Sequence, residues 1–402
     1  MLEETVHYFI VGGGLSGASA VEGIRDLDKE GSILLIGAEN HLPYNRPPLS
    51  KKLWFGDKKV EDIFVFDQEF YDKNHVQLRL GTRVVGLDAR YKKVTDDTGE
   101  SYHFEKLLLA TGGTPRRLSI SGGDMEGIFY YRYLDDYQRL RQEAEEGKSA
   151  VVIGGGFIGS EMAAALTMNG VEVTMIFPES YLVQRVFPEG LGRAIQGRYQ
   201  ERGIEMVNGD KPAAFTRKEA KFQTRTENGQ EFESDLLVVG IGIEPNTELA
   251  RGAGLEVGDG VVVNEYLQTS HPDIYAAGDI AFFPYLALGE RMRIEHWDNA
   301  EDAGEWAGKN MAGQNRPFEK MPYFYSDLFE FGYEAVGQVE SRLETFADWE
   351  KENDTGVIYY LRDGKVRGVM LCNVWGKLDE ARALIRNGEQ HTLDSLRGAI
   401  SR

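Results

Sequence analysis

The sequence has one cysteine, Cys372. A single thiol forms no intramolecular disulfide, no Cys-x-x-Cys redox pair and no cysteine-rich zinc site. Low cysteine use also fits a reducing compartment. Histidine is scarce and scattered: the seven stand at positions 7, 41, 75, 103, 271, 296 and 391, with no HExxH or similar spacing. No metal site is therefore expected. Basic residues are outnumbered, with Lys+Arg 45 against Asp+Glu 65 and a formal net charge of −20. Duplex nucleic acid and anionic membranes both call for basic surface, so neither is an expected partner. No apolar run approaches the roughly 18 residues of a membrane-spanning helix. Met1-Leu2-Glu3-Glu4 lacks the basic stretch of a signal or transit peptide. The expectation is a soluble cytoplasmic protein, monomeric or homodimeric.

What is abundant is glycine: 47 of 402 residues, about 12% against an average near 7%. The glycines fall in a few clusters without a repeat, which marks tight backbone sites. At roughly 150 residues per domain the length allows two to three domains. Residues 9–17, FIVGGGLSG, and 151–159, VVIGGGFIG, share one pattern at an offset of 142. Each is a β-branched run, a glycine cluster and a helical stretch. Each is followed by another apolar run, Ser32–Ile36 and Glu172–Phe177. Both read as parallel βαβ units, hence two nucleotide-binding folds. Between them lie a polar, turn-rich stretch (87–106) and KLLLATGGTPRRL (106–118); DLLVVGIGIEPNTELA (235–250) and DIYAAGDIAFFP (273–284) follow. Trp297, Ala300, Ala303, Ala307 and Met311 predict a helix over Trp297–Met311. Residues 321–373 alternate like antiparallel strands, and an amphipathic helix is expected over Leu378–Asn387.

Gly12, Gly14 and Gly17 form GxGxxG after a predicted strand, Val6–Val11, and at the start of a helix. The first glycine makes the tight turn, the second lets a diphosphate approach, and the third lets helix and strand pack closely. The helix N-terminus offers N–H groups to an anion. Glu39, 22 residues after Gly17, is placed to accept from ribose hydroxyls. Gly154, Gly156 and Gly159 repeat the arrangement, with Glu179 20 residues after Gly159. A carboxylate there favours NADH over NADPH, although Phe177 holds the strand end where the acid more often sits and Arg185 is a contrary signal. Two fingerprints suggest two nucleotides, FAD and NAD; the alternative is one working site and one vestige. Asp279, after Ile274-Tyr275-Ala276-Ala277-Gly278, is placed to grip a polyol chain. Gly147-Lys148-Ser149 is no phosphate loop, because Gln142 stands where its first glycine belongs.

These segments, with ATGGTPR (110–116), VVGIGIEPNTELA (238–250) and TSHPDIYAAGD (269–279), resemble in order the FAD/NAD-linked reductases of the glutathione-reductase structural class. The resemblance covers nearly the whole chain. Pro43-Tyr44-Asn45-Arg46-Pro47-Pro48-Leu49-Ser50-Lys51 is similar to a signature of oxygenase-coupled ferredoxin reductases and apoptosis-inducing factor. The tail is similar to apoptosis-inducing factor at Phe177-Pro178-Glu179, Glu295-His296, Tyr325-Ser326-Asp327-Leu328, Gly332-Tyr333-Glu334-Ala335 and Arg386-Asn387-Gly388-Glu389-Gln390-His391. Trp297 departs from that protein toward the ferredoxin reductases, and Tyr325 stands where tryptophan is usual.

The resemblance implies an α/β fold with two Rossmann-like domains and a small C-terminal α+β domain. The implied boundaries are 1–117 with 246–316 for FAD, 118–245 for NAD and 317–402 for the tail. It implies that Gly12, Gly14, Gly17, Glu39, Arg46 and Asp279 bind FAD, with Glu295, His296, Trp297 and Tyr325 contributing to cofactor binding. Gly154, Gly156, Gly159, Glu179 and Arg185 belong to the NADH site. Lys51 is implied to pair with Glu161 beside the flavin, the two residues closest to the reaction. The implied function is an FAD-dependent NADH oxidoreductase serving a separate acceptor: a small redox protein such as a ferredoxin or rubredoxin, a quinone or oxygen. The other implied reading is an NADH-sensing protein that changes oligomeric state. A disulfide reductase lacks its cysteine pair.

Overall fold

The computed structural model describes residues 5–401. The chain forms two compact units. One comprises the chain up to Asn45, Val60–Thr114 and Glu244–Pro322; the other comprises Arg46–Lys59, Pro115–Ile243 and the chain from Tyr323 onward.

In the first unit the run Thr5–Val11 is the middle of a sheet, with Phe9 and Ile10 fully buried. A strand covered on both faces reads as a continuous apolar run, and this one does from Tyr8 to Val11. Its neighbours are Ile33–Gly37 and Ser101–Leu109, both parallel to it. Val76–Leu80 extends the sheet beyond Ile33–Gly37. Ile274–Ala276 pairs in parallel with Leu107–Leu109, so a late segment completes an early sheet. Strands Lys93–Asp96 and Val84–Asp88 add an antiparallel edge. Much of the stretch read from sequence as polar turns (87–106) is therefore strand. Its side chains alternate between buried and partly exposed, but the runs are too short for that period to stand out among turn residues.

Helix Leu15–Leu27 packs on helix Trp297–Met311 at close range. A Cβ at Gly304 would lie 2.4 Å from the Ser16 carbonyl oxygen, and Ser16 Oγ donates to the Ala300 carbonyl at 2.7 Å. The predicted helical spacing from Trp297 to Met311 is realised with those bounds.

The second unit holds a five-stranded parallel sheet in the order Glu205–Asn208, Glu172–Phe177, Ser149–Ile153, Leu236–Val239 and Phe129–Tyr130. Val151, Ile153, Ile176, Leu237 and Val239 form its core with Phe215 and Phe222 of the antiparallel strands Pro212–Lys218 and Lys221–Thr226. The C-terminal region is a five-stranded antiparallel sheet running from Tyr323 to Cys372, with helix Leu378–Asn387 against its strands Phe331–Gly337 and Lys365–Cys372. The fold is thus α/β with two Rossmann-like nucleotide-binding folds and a small C-terminal α+β domain. In each parallel sheet the glycine turn follows the strand at which the chain order reverses, where open α/β sheets bind ligands.

Candidate functional site

In the first unit the glycine turn leaves a cradle. Gly12 has φ +132°, and a Cβ there would lie 2.1 Å from the Ala110 carbonyl oxygen. A Cβ at Gly17 would lie 2.1 Å from the Gly12 carbonyl oxygen. Gly14 differs: nothing of the protein lies within 4 Å of its Cβ position, and as the N-cap it has no side-chain cap bond. Open space over the first turn of a 13-residue helix fits a dinucleotide diphosphate.

Glu39 stands two residues beyond the strand end at Gly37, and its Oε2 accepts from Tyr44 Oη at 2.6 Å. Asp279 is half-buried in the turn Gly278–Ile280 after the buried strand Ile274–Ala276, and its carbonyl accepts from Arg293 Nη1 at 3.1 Å. His296 is the N-cap of Trp297–Met311. Burial pushes its imidazole down to about 4, with the Asp279 carboxylate pulling the other way. Trp297 Nε1 donates to Asn45 Oδ1 at 2.6 Å. Glu295 is exposed and ion-paired with Arg293.

In the second unit the turn is repeated. Gly154 has φ +116°, a Cβ at Gly159 would lie 1.9 Å from the Gly154 carbonyl oxygen, and Gly156 again faces open space. Glu179 stands two residues beyond the strand end at Phe177, as Glu39 does beyond Gly37. Arg185, the contrary signal, lies beside that acid. Its Nε lies 3.9 Å from Glu179 Oε1, with the arginine side chain 90% exposed. Val183 has φ 54° although it is β-branched and buried, and its N–H donates to the Gly155 carbonyl at 2.8 Å. The loop after Glu179 is thereby tied to the glycine turn.

The second unit also holds an internal ion pair. Lys51 Nζ lies 3.1 Å from Glu161 Oε1, with the side chains 8% and 7% exposed. Lys51 ends the turn Pro47–Ser50, and Glu161 lies near the start of helix Phe157–Met168. Ser50 Oγ donates to Glu161 Oε2 at 2.5 Å, and Ser326 Oγ donates to Oε1. Lys51 Nζ lies 4.6 Å from the Tyr325 ring centre. Arg46 Nη1 donates to the Arg132 carbonyl at 2.9 Å. The sequence-derived candidates therefore divide. Gly12, Gly14, Gly17, Glu39, Asp279, Glu295, His296 and Trp297 lie in the first unit. Arg46, Lys51, Gly154, Gly156, Gly159, Glu161, Glu179, Arg185 and Tyr325 lie in the second.

Sequence reasoning gave no role to Ser50, Ser326, Tyr44, Asn45 or Val183. The two serines adjoin Lys51 and Tyr325 in segments already singled out, and that adjacency was the available signal. Cys372 is fully buried, and desolvation pushes its thiol far up. Among the described residues no His, Cys, Asp and Glu cluster fit to hold a metal ion occurs, and no helix is long and apolar enough to cross a membrane.

Two dinucleotide-type folds and one buried thiol define a nucleotide-binding protein without an intrachain dithiol pair. Residues 6–304 match the pyridine nucleotide-disulphide oxidoreductase family, and the chain belongs to it. Residues 307–355 match the C-terminal domain of mitochondrion-associated apoptosis-inducing factor. The chain is 34% identical to apoptosis-inducing factor 1 of Dictyostelium discoideum, over 97% of this chain and 82% of that protein. It is 32% identical to the ferredoxin–NAD(+) reductase component of the anthranilate 1,2-dioxygenase system of Burkholderia cepacia, over 95% of this chain and 94% of that one. Putidaredoxin reductase, solved in covalent complex with putidaredoxin, superposes with a TM-score of 0.90 at 29% identity, covering 95% of this chain and 93% of that chain. The activity is that of an FAD-dependent NAD(P)H oxidoreductase, with FAD and NAD(H) as its cofactors.

Proposed function

We propose that this chain oxidises NADH on behalf of a small iron–sulfur or rubredoxin-type protein. In this reading residues 1–117 and 246–316 bind FAD, 118–245 bind NADH, and 317–402 form the tail domain. Gly12, Gly14 and Gly17 admit the FAD diphosphate, and Glu39 and Asp279 accept from its hydroxyls. Glu295, His296 and Trp297 of the first unit are assigned to cofactor binding, as are Arg46 and Tyr325 of the second. Gly154, Gly156, Gly159, Glu179 and Arg185 hold NADH. Bound FAD supplies hydride acceptance and release of electrons one or two at a time. Lys51 places an ammonium beside the isoalloxazine, and Glu161 orients that ammonium. His296, uncharged at neutral pH, adds no cation there.

The observation that carries this reading is the buried Lys51–Glu161 pair in a chain whose one thiol is buried and protonated. Such a chain has no dithiol to reduce, so its acceptor is a separate molecule. The Burkholderia reductase and putidaredoxin reductase are named for small redox proteins. Anaerobic stopped-flow reduction by NADH, followed by mixing with a ferredoxin, a rubredoxin, a quinone or oxygen, tests it. Fastest reoxidation by a small redox protein is expected; fastest reoxidation by quinone or oxygen overturns it. The match of residues 307–355 favours a second reading as an NADH sensor. That reading requires slow, air-stable reduction by NADH together with a change of oligomeric state.

A further inference from the structure

Two dipeptides bracket the Glu161 carboxylate. From the turn Pro47–Ser50 and the residue after it come Ser50, 2.5 Å from Oε2, and Lys51, 3.1 Å from Oε1. From strand Tyr323–Leu328 come Ser326, which donates to Oε1, and Tyr325, whose carbonyl oxygen lies 3.5 Å from Lys51 Nζ. Ser50, Lys51, Glu161 and Ser326 are 4%, 6%, 7% and 2% exposed.

Burial alone does not account for both hydroxyl bonds. Ser160, next to Glu161 and fully buried, has a hydroxyl with no hydrogen-bond partner. The serines at 50 and 326 instead reach one carboxylate from two separate segments, on different oxygens. An ion pair to one oxygen leaves rotation about the last torsion of a glutamate broad and roughly two-fold. Hydroxyl donors on both oxygens fix the carboxylate plane.

We propose that Ser50 and Ser326 are positioning residues that set the Glu161 carboxylate, and through it the Lys51 ammonium, for the proposed reaction. The inference rests on the reading that Lys51 acts beside the flavin. Strand Tyr323–Leu328 then serves the reaction as well as the stability of the C-terminal sheet. Losing either hydroxyl leaves negative charge less compensated near the flavin, so the reduced anion is held less well. A net hydrogen bond of about 1 kcal/mol corresponds to about fivefold in rate.

The test measures the reduction potential of the FAD-loaded protein by spectroelectrochemistry and the rate constant of reduction by NADH. The variants are Ser50→Ala, Ser326→Ala, Ser326→Thr, Glu161→Ala and the double variant Ser326→Ala/Glu161→Ala, each checked for its melting temperature. Both serine-to-alanine variants are expected to lower the potential and slow reduction about fivefold. Ser326→Thr, which keeps the hydroxyl, retains wild-type values, and the double variant matches Glu161→Ala alone. If Ser326→Ala fails to fold or to hold FAD, Ser50→Ala decides. Wild-type potentials in both alanine variants, alongside a shift in Lys51→Met, overturn the positioning role. So does a serine effect that persists without Glu161. No shift in either Lys51→Met or Glu161→Ala overturns the underlying reading, and the positioning role with it.

Discussion

Lys51 Nζ and Glu161 Oε1 lie 3.1 Å apart with both side chains almost wholly out of solvent. Removing one partner of a buried pair costs more than the pair contributes, because the remaining charge stays buried. Lys51→Met is expected to lower stability by about 3 kcal/mol in chemical denaturation. It should also lower the reduction potential of bound FAD, while Glu161→Gln raises it. Spectroelectrochemical titration of the three proteins checks both signs, and unchanged potentials would reduce the pair to a structural contact.

The glycine turns separate folding from binding. Gly14→Ala and Gly156→Ala each place a methyl in open space and should leave the melting temperature within a few degrees. The first should lose FAD on desalting. The second should keep FAD but raise KM for NADH, with overpacking of about 1–3 kcal/mol giving roughly 5- to 150-fold. Gly17→Ala collides with the Gly12 carbonyl and should fold poorly. An FAD-replete Gly14→Ala protein would show that the diphosphate lies elsewhere.

NADH should be preferred to NADPH. A 2′-phosphate removes the hydroxyl that Glu179 is placed to accept from and sets an anion beside the carboxylate. An unmatched polar group of about 1–3 kcal/mol predicts roughly a 5- to 150-fold difference in kcat/KM. Glu179→Ala should narrow the ratio mainly by lowering kcat/KM for NADH. Equal values for the two nucleotides in the wild type would remove Glu179 from the NADH site.

His296 predicts an acid limb of stability. Its folded value lies at about 4. An ordinary histidine titrates near 6.5. Between those values the unfolded chain binds a proton that the folded chain does not, so stability falls as pH drops from about 6.5 to 4. The full effect is roughly 3 kcal/mol and is absent above about pH 7. Urea midpoints measured against pH should show this slope, and His296→Gln should flatten it.

The two βαβ units were legible because their turns demand glycine at fixed steps and their strands are buried on both faces. The helix Trp297–Met311 was legible from the spacing of its small and apolar residues. The antiparallel edge within 84–96 was not, because short one-sided strands carry little signal against turn-rich surroundings. The assembly around Glu161 was legible only in part. Resemblance to a family supplied Lys51 and Glu161, but hydroxyl donors from residues 50 and 326 meet a carboxylate at 161 only through the tertiary fold. No periodicity encodes such a meeting.

Strand Ile274–Ala276 and helix Trp297–Met311 complete a sheet and a helix pair begun before residue 40. During synthesis the first glycine turn therefore waits for about two thirds of the chain before its surroundings close. The second parallel sheet, whose strands all lie between Phe129 and Val239, needs no such wait. Contacts between segments so distant in sequence slow folding and prolong exposure of apolar strand faces. On the ribosome the later nucleotide fold is thus the first that can mature. A chain released between residues 239 and 274 would carry a finished second sheet and an open, aggregation-prone first one.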